Sequence, residues 1–486
     1  MTSPLLALFT RSMRDDTRVK STYWARAGLA AFMLVVMGMA AFARATGGAP
    51  GLVFLQSATW LQVVFLTISG LGYFASAITE EKEEETLGLL RMTNLSPLSI
   101  LLGKSTSRLL GALLLVASQV PFTLMAVTLG GVSSGQVFAA YATLAAYTFL
   151  LCNLALLASV IARRTGGAAL LTGAVLAAGW IGGFFSSALA GLSPFRRLAQ
   201  IFTTGFHEPA IGWQVTGSLA VGVACFLVAW GAFERLCAGR ADSGPGVETV
   251  LRRRFRRWLT PGRPPAFRAL AWKDFHFLHG GRVAMIAKSA GAVLVVLGAL
   301  AWQVSTWGRQ AAAAFPGQVI LFSMVWLVAE AGFAASRICA SEVRERTLSS
   351  LALLPQDLLY TMGAKVGGCW RALIPAWTLF ALSVVSAFLL AISGMGGELM
   401  SIIIFGGVAF GYVFAMSYFG VYLTAYLSLR MKRGALPLAI IICLASSVLA
   451  AIPLLGWYGV PILAVLFGHK LRGKILMRLE EAAAEN

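Results

Sequence analysis

The sequence predicts an all-α polytopic membrane protein: about twelve transmembrane helices in two parallel six-helix repeats, with both termini cytoplasmic. Three observations predict it. Hydrophobic residues make up 58% of the chain and charged residues 12%, about half the charged share of a soluble protein. A chain of 486 residues would form two or three domains in water, and the polar residues to cover them are missing. Apolar stretches near or beyond the roughly 20 residues needed to cross a bilayer recur along the chain. Finally, one polar stretch recurs 261 residues later, in the same place relative to its neighbouring apolar stretches.

The apolar stretches of the first half fall at 24–44, 52–78, 106–130, 134–162, 167–189 and 214–236. Those of the second half fall at 283–304, 318–339, 369–394, 399–429, 435–454 and, more briefly, 456–470. No short basic region with a small-residue cleavage site precedes the first, so a removable signal peptide is not expected. Pro121 and Pro375 fall inside spans three and nine and mark kink sites.

Charge fixes the orientation. With the N-terminus inside, only Arg44, Arg196, Arg197 and Arg309 fall on the outer side, and the other 35 of the 39 lysines and arginines fall inside. This is the positive-inside distribution. It also accounts for the net charge of +19 through topology and attraction to an anionic leaflet, so no nucleic-acid partner is implied. A first half at 1–236 and a second at 267–486 are joined by a cytoplasmic linker, 237–266. This linker carries Arg252, Arg253, Arg254, Arg256 and Arg257 ahead of Pro261, Pro264 and Pro265. The six cysteines are scattered through apolar segments, without metal spacing or a disulfide framework. The four histidines form no ligand cluster, and no metal site is expected.

The repeat aligns without gaps across one cytoplasmic segment. Glu81, Glu84, Thr86, Leu87, Leu90, Leu98 and Lys104 meet Glu342, Glu345, Thr347, Leu348, Leu351, Leu359 and Lys365. Amphipathic stretches at 5–18 and 267–279 precede the first span of each half, and basic residues close the fourth span of both. Six spans per half keep the two copies in one orientation, a parallel duplication about an axis along the membrane normal.

In the first copy (79–104) the glutamates Glu80, Glu81, Glu83, Glu84 and Glu85 continue directly out of span two and give way to Leu87, Leu89, Leu90 and Met92. Asn94 to Pro97 breaks the helix. Ser96 is placed as an N-cap with Pro97 at the first helical position, starting a second short helix toward Lys104. The second copy spans 340–365, with its break near Pro355. A plain connection needs only a few residues. An acidic segment of about 25 residues with exposed leucines suits a protein partner better than an anionic lipid surface.

The pattern I-x-x-E-[K/R]-E-x-x-T-L-x-x-L, between spans two and three of a six-helix unit, resembles the permease of type-2 ATP-binding-cassette exporters. Glu81, Lys82, Glu83, Thr86, Leu87 and Leu90 match it, and Glu342, Glu345, Thr347, Leu348 and Leu351 match it again. The resemblance implies an exporter subunit in the cell membrane, with a coupling helix in each half docked on one of two separate ATPase subunits. It also implies an interfacial elbow helix before each first span, and short re-entrant helices on the outer side between spans five and six. Those ATPases would hold the ATP and magnesium, and this chain would bind no cofactor and catalyse nothing. Two features depart from the pattern: Arg344 and Arg346 stand where the first half has Glu83 and Glu85, and both permease units are fused in one chain.

Gly103-Lys104-Ser105-Thr106 looks like the end of a phosphate-binding loop, but Leu98 stands where that loop needs glycine. Glu330 lies inside span eight, where an ionised carboxylate must face a cavity or a partner. It either lines a translocation pathway or is held between helices as a packing device. Its register mate is Ser69, so any role is one-sided. The alternative function is a twelve-helix secondary transporter driven by an ion gradient. That class would carry a short turn between spans two and three and ionisable residues in several spans. An intramembrane enzyme ranks below both, because no paired His, Asp or Ser–Lys constellation falls within the spans. The substrate is not legible.

Overall fold

The computed structural model describes Thr10 and residues 20–42, 49–84, 86–92, 96–162, 165–203, 206, 209–238, 269–278, 281–307, 315–338, 358–394, 399–430, 435–448 and 459–484. Among these every regular element is helical. The chain folds as two compact units, Met1–Gly246 and Val247–Asn486.

The first unit runs α1 (Lys20–Phe42), α2 (Pro50–Glu83), α3 (Leu87–Met92), α4 (Pro97–Ala117), α5 (Val120–Leu129), α6 (Ser134–Ile161) and α7 (Thr165–Phe185). It ends with α8 (Ser187–Leu192), α9 (Pro194–Ile201) and α10 (Trp213–Ala238). Helices α2 and α6 form its centre, where Phe54, Leu55, Ala58, Val63 and Leu66 pack with Ala139, Ala140, Leu144 and Tyr147. Small residues at such a crossing let two backbones approach, which is how membrane helices gain contact when lipid offers no hydrophobic drive. Three buried hydroxyls are satisfied within their own helices: Thr59, Thr79 and Thr148 each donate to the carbonyl four residues back. Across the crossing, the Thr67 hydroxyl pairs with the Tyr147 hydroxyl at 2.7 Å.

The start of α2 presses on the end of α5. The Gly51 N–H donates to the Gly130 carbonyl at 3.1 Å, and a Cβ at Gly51 would lie 2.1 Å from the Ala126 carbonyl oxygen. Gly51→Val is therefore expected to destabilise the chain by about 3 kcal/mol, the upper end of ordinary overpacking. Gly38→Ala in α1, where a Cβ meets nothing within 4 Å, is expected to be neutral or stabilising. Thermal unfolding in one detergent separates the two, and equal midpoints for both variants would refute the close crossing.

The second unit runs α11 (Ala269–Lys273), a π-helical turn (Asp274–Leu278), α12 (Gly281–Trp307), α13 (Phe315–Ile338), α14 (Leu358–Ala372), α15 (Ile374–Gly394), α16 (Leu399–Arg430), α17 (Ala435–Val448) and α18 (Val460–Ala484). Its core joins Leu327, Ala331 and Ala335 of α13 to Val366 and Cys369 of α14, Phe380 of α15, and Val421 and Ala425 of α16. Helix α18 lies along α16, with Gly468 against the Tyr418 ring. Gly281 adopts φ 64°, and a Cβ there would meet the His276 ring at 2.7 Å, so glycine is required where the chain turns into α12.

A helix covers part of each of the twelve apolar stretches. Five are long and apolar enough, among the described residues, to cross a membrane: Pro50–Glu83, Pro97–Leu129, Ser134–Ile161, Trp213–Arg235 and Phe410–Arg430. A sixth is the pair Tyr360–Ala372 and Ile374–Ser386, bent by 53°. The bend falls just before Pro375, and the helix break at Ser118–Gln119 falls just before Pro121, as expected where a ring displaces the carbonyl four residues earlier.

Two boundaries differ from the sequence expectation. Ser96 does cap, accepting the Ser99 N–H at 3.2 Å, but the helix that it starts is no short piece. It runs as α4 straight through Lys104 to Ala117, because nothing between Gly103 and Ala117 interrupts it. The closing helix begins at Val460 and continues to Ala484 instead of ending near 470. The first two residues of the basic linker, 237–238, extend α10; the rest of the linker and the first amphipathic stretch, apart from Thr10, lie outside the described residues.

Candidate functional site at the acidic end of the second helix

The last two turns of α2 carry four charges in a row, and each is engaged. Lys82 Nζ donates to the carbonyls of Ser159 at 2.8 Å, Val160 at 2.6 Å and Ala162 at 3.0 Å. These are the end carbonyls of α6, which have no partners within their own helix. A cation is also what the negative end of a helix dipole favours. One residue on, Glu83 Oε1 accepts the Thr165 N–H at 2.7 Å, the first amide of α7, where a carboxylate is favoured for the opposite reason. The Thr79 and Thr165 hydroxyls pair at 2.9 Å. One turn of α2 thus grips the end of one helix and the start of the next.

The other two charges face α4. Glu81 accepts from Lys104 Nζ at 2.5 Å and from the Thr86 hydroxyl. Glu80 accepts from Arg108 at 3.0 Å, while Arg108 also donates to the Tyr73 carbonyl and the Ser76 hydroxyl and lies over the Tyr73 ring. The Arg108 side chain is only 8% exposed.

Beyond Glu83 the chain turns into the short helix α3. Thr86 donates its N–H to the Glu81 carbonyl at 3.0 Å. Leu87 packs back onto the cluster of Ala77, Ile78, Ile100, Leu101 and Val160. Glu84 and Gly88 are exposed, and Met92 is 83% exposed. Of the residues expected to dock a partner, Glu81, Glu83, Thr86 and Leu87 therefore make contacts within the unit, and Glu84 points outward. The Leu90 backbone belongs to α3, and its side chain lies outside the described residues. So do Glu342, Glu345, Thr347, Leu348 and Leu351 of the second copy. The Gly103–Thr106 stretch sits inside α4, with Lys104 held by Glu81, which leaves no loop to wrap a phosphate.

In the second unit Lys365, the register mate of Lys104, donates to Asp274 Oδ2 at 3.4 Å and to the Ile338 carbonyl at 3.5 Å. Both side chains of the pair are at most 3% exposed. Asp274 follows α11, so the second amphipathic stretch packs against α14 instead of lying free. A Cβ at Gly368 would meet the Ala271 carbonyl oxygen at 3.0 Å. Glu330 is paired with Lys288 across α12 and α13. This gives the carboxylate a cationic partner on the neighbouring helix.

Sequence reasoning missed Arg108, Lys288, Asp274 and Thr165, and left Lys82 out of the site. A signal existed for two of them. Arg108 sits one turn after Lys104 on the same face, and Lys288 is a cation inside an apolar stretch beside the one holding Glu330. Helices α8 and α9 lie in the connection between α7 and α10. Phe195 stacks on Trp60 at 5.6 Å and meets Trp180 edge-on at 4.9 Å. Among the described residues no group of histidine, cysteine, aspartate and glutamate is placed to hold a metal. No protein-family model matches this chain, and no curated protein matches it.

Proposed function

We propose that the chain is the permease subunit of an ATP-driven exporter in the cell membrane, with its twelve apolar stretches crossing as two parallel six-helix repeats. Separate ATPase subunits dock on the segments 79–104 and 340–365, hold the ATP and magnesium, and supply the energy. One observation carries the reading. Helix α3 is set beyond the charged end of α2 with Gly88 and Met92 outward and Glu84 at its base, while Glu81, Thr86 and Leu87 tie it to the bundle. A connection that served only to turn the chain would need neither the exposed short helix nor the charges that hold it.

The partner face is small and apolar with an acidic edge, so it suits a groove with a basic rim. The test is purification of the tagged full chain from its own membranes in mild detergent. The expected result is retained, vanadate-sensitive ATP hydrolysis that falls at least tenfold in Gly88→Trp/Met92→Asp, a variant that still elutes as a single species. A wild-type chain that keeps no ATP-hydrolysing subunit would refute the reading. The ion-driven alternative rests on the one-sided Lys288–Glu330 pair. It would be favoured by uptake or release that follows an imposed proton or sodium gradient in vesicles holding this chain alone.

A further inference from the structure

We infer that Lys82 and Glu83 are positioning residues that make α3 move as one body with the junction of α6 and α7, so that force at the docking helix reaches both helices directly. The inference rests on the proposed ATPase-driven reading, but its geometry stands by itself. Lys82 holds three carbonyls at the end of α6, and Glu83 holds the first amide of α7. Both residues belong to the final turn of α2, and three residues separate Glu83 from the start of α3. A push on α3 has two routes into the bundle. One runs through Glu81 and Lys104 to α4. The other runs through Lys82 and Glu83 to α6 and α7, the helices that pack against α2 along its length.

The two routes differ between the halves. In the register of 261 residues Glu81 and Lys104 recur as Glu342 and Lys365, whereas Lys82 and Glu83 are replaced by Val343 and Arg344. The residues of the first route are present twice, and those of the second only once. The two docking segments are therefore unequal in sequence, and the lysine and glutamate that hold α6 and α7 are present in the first half alone.

The test measures the distance between nitroxide labels at residues 88 and 167 in the full chain in lipid nanodiscs. Each label is carried by an unnatural amino acid, so the native cysteines stay in place. A Cβ meets nothing within 4 Å at Gly88 and only an ordinary 3.7 Å contact at Gly167, so both sites accept a side chain. The wild type is expected to give one narrow distance distribution. Lys82→Met is expected to at least double its width, and Lys82→Arg to restore it, because arginine keeps the charge and the donors.

If Lys82→Met does not fold, Thr165→Pro serves instead. It removes the amide that Glu83 holds while proline remains acceptable at the first helical position, and it too is expected to broaden the distribution. An unchanged width in either folded variant overturns the inference, as does a Lys82→Arg chain as broad as Lys82→Met. Residue 88 lies on the proposed docking face, so the labelled chain is measured without ATPase. Failure of the unlabelled chain to capture any ATPase would remove the proposed function and leave the label result standing, so the two failures are distinguishable.

Discussion

Arg108→Cys is expected to cost about 3–5 kcal/mol of unfolding free energy, the usual loss when one partner of a buried pair is removed. Adding Glu80→Ser is expected to recover most of that loss. The Arg108 side chain is 8% exposed, and its guanidinium serves Glu80, the Tyr73 carbonyl and the Ser76 hydroxyl. Its removal takes from the Glu80 carboxylate, 19% exposed, the cation that it pairs with at 3.0 Å. The repeat supplies the reason to choose these two substitutions. At the positions of Glu80 and Arg108 the second half has Ser341 and Cys369, so both partners are replaced together, and Cys369 is fully buried in the core of its unit. By contrast, Glu81 and Lys104 are both kept, as Glu342 and Lys365. Reversible unfolding in mixed micelles measures the cycle. A double variant no more stable than Arg108→Cys alone would show that the arginine acts through its carbonyl contacts and not through Glu80.

The helical class of the chain was legible because composition and apolar length are summed over hundreds of residues, and no local error disturbs them. The start of α4 was legible for a local reason: Ser96 and Pro97 satisfy the demands of a helix N-terminus within a few residues. Its extent was not, since the boundary between a short surface helix and a span depends on whether anything stops the helix, and here nothing does before Ser118. The acidic run was legible as the site but not in its internal arrangement. Glutamates on an amphipathic helix look like an exposed face when their partners lie 23 to 82 residues away in sequence. Periodicity places Glu81, Glu83 and Glu84 on a helix, and only the packing of α4, α6 and α7 decides which two are occupied. For the same reason Leu87, apolar in an exposed-looking stretch, turned out to face inward, and Met92 carries the exposure.

Lys288→Met should strongly destabilise the second unit, and Glu330→Leu should rescue it. Lys288 and Glu330 form an ion pair between α12 and α13, with side chains 25% and 9% exposed. Glu330 Oε2 is buried with no hydrogen-bond partner among the described residues. The carboxylate therefore depends on one cation, and in an apolar surrounding an ionised group without its partner is strongly disfavoured. Loss of the lysine is expected to cost about 3–5 kcal/mol, whereas replacing both groups by apolar side chains of similar volume is expected to be close to neutral. The first half carries neither charge, with Ala27 and Ser69 at the matching positions. The comparison of Lys288→Met, Glu330→Leu and the double variant also separates the two roles considered for Glu330. If the pair is a packing device, the double variant recovers stability and keeps transport. If Glu330 serves the translocated species, the double variant recovers stability and loses transport. A double variant as unstable as Lys288→Met would exclude the ion pair itself.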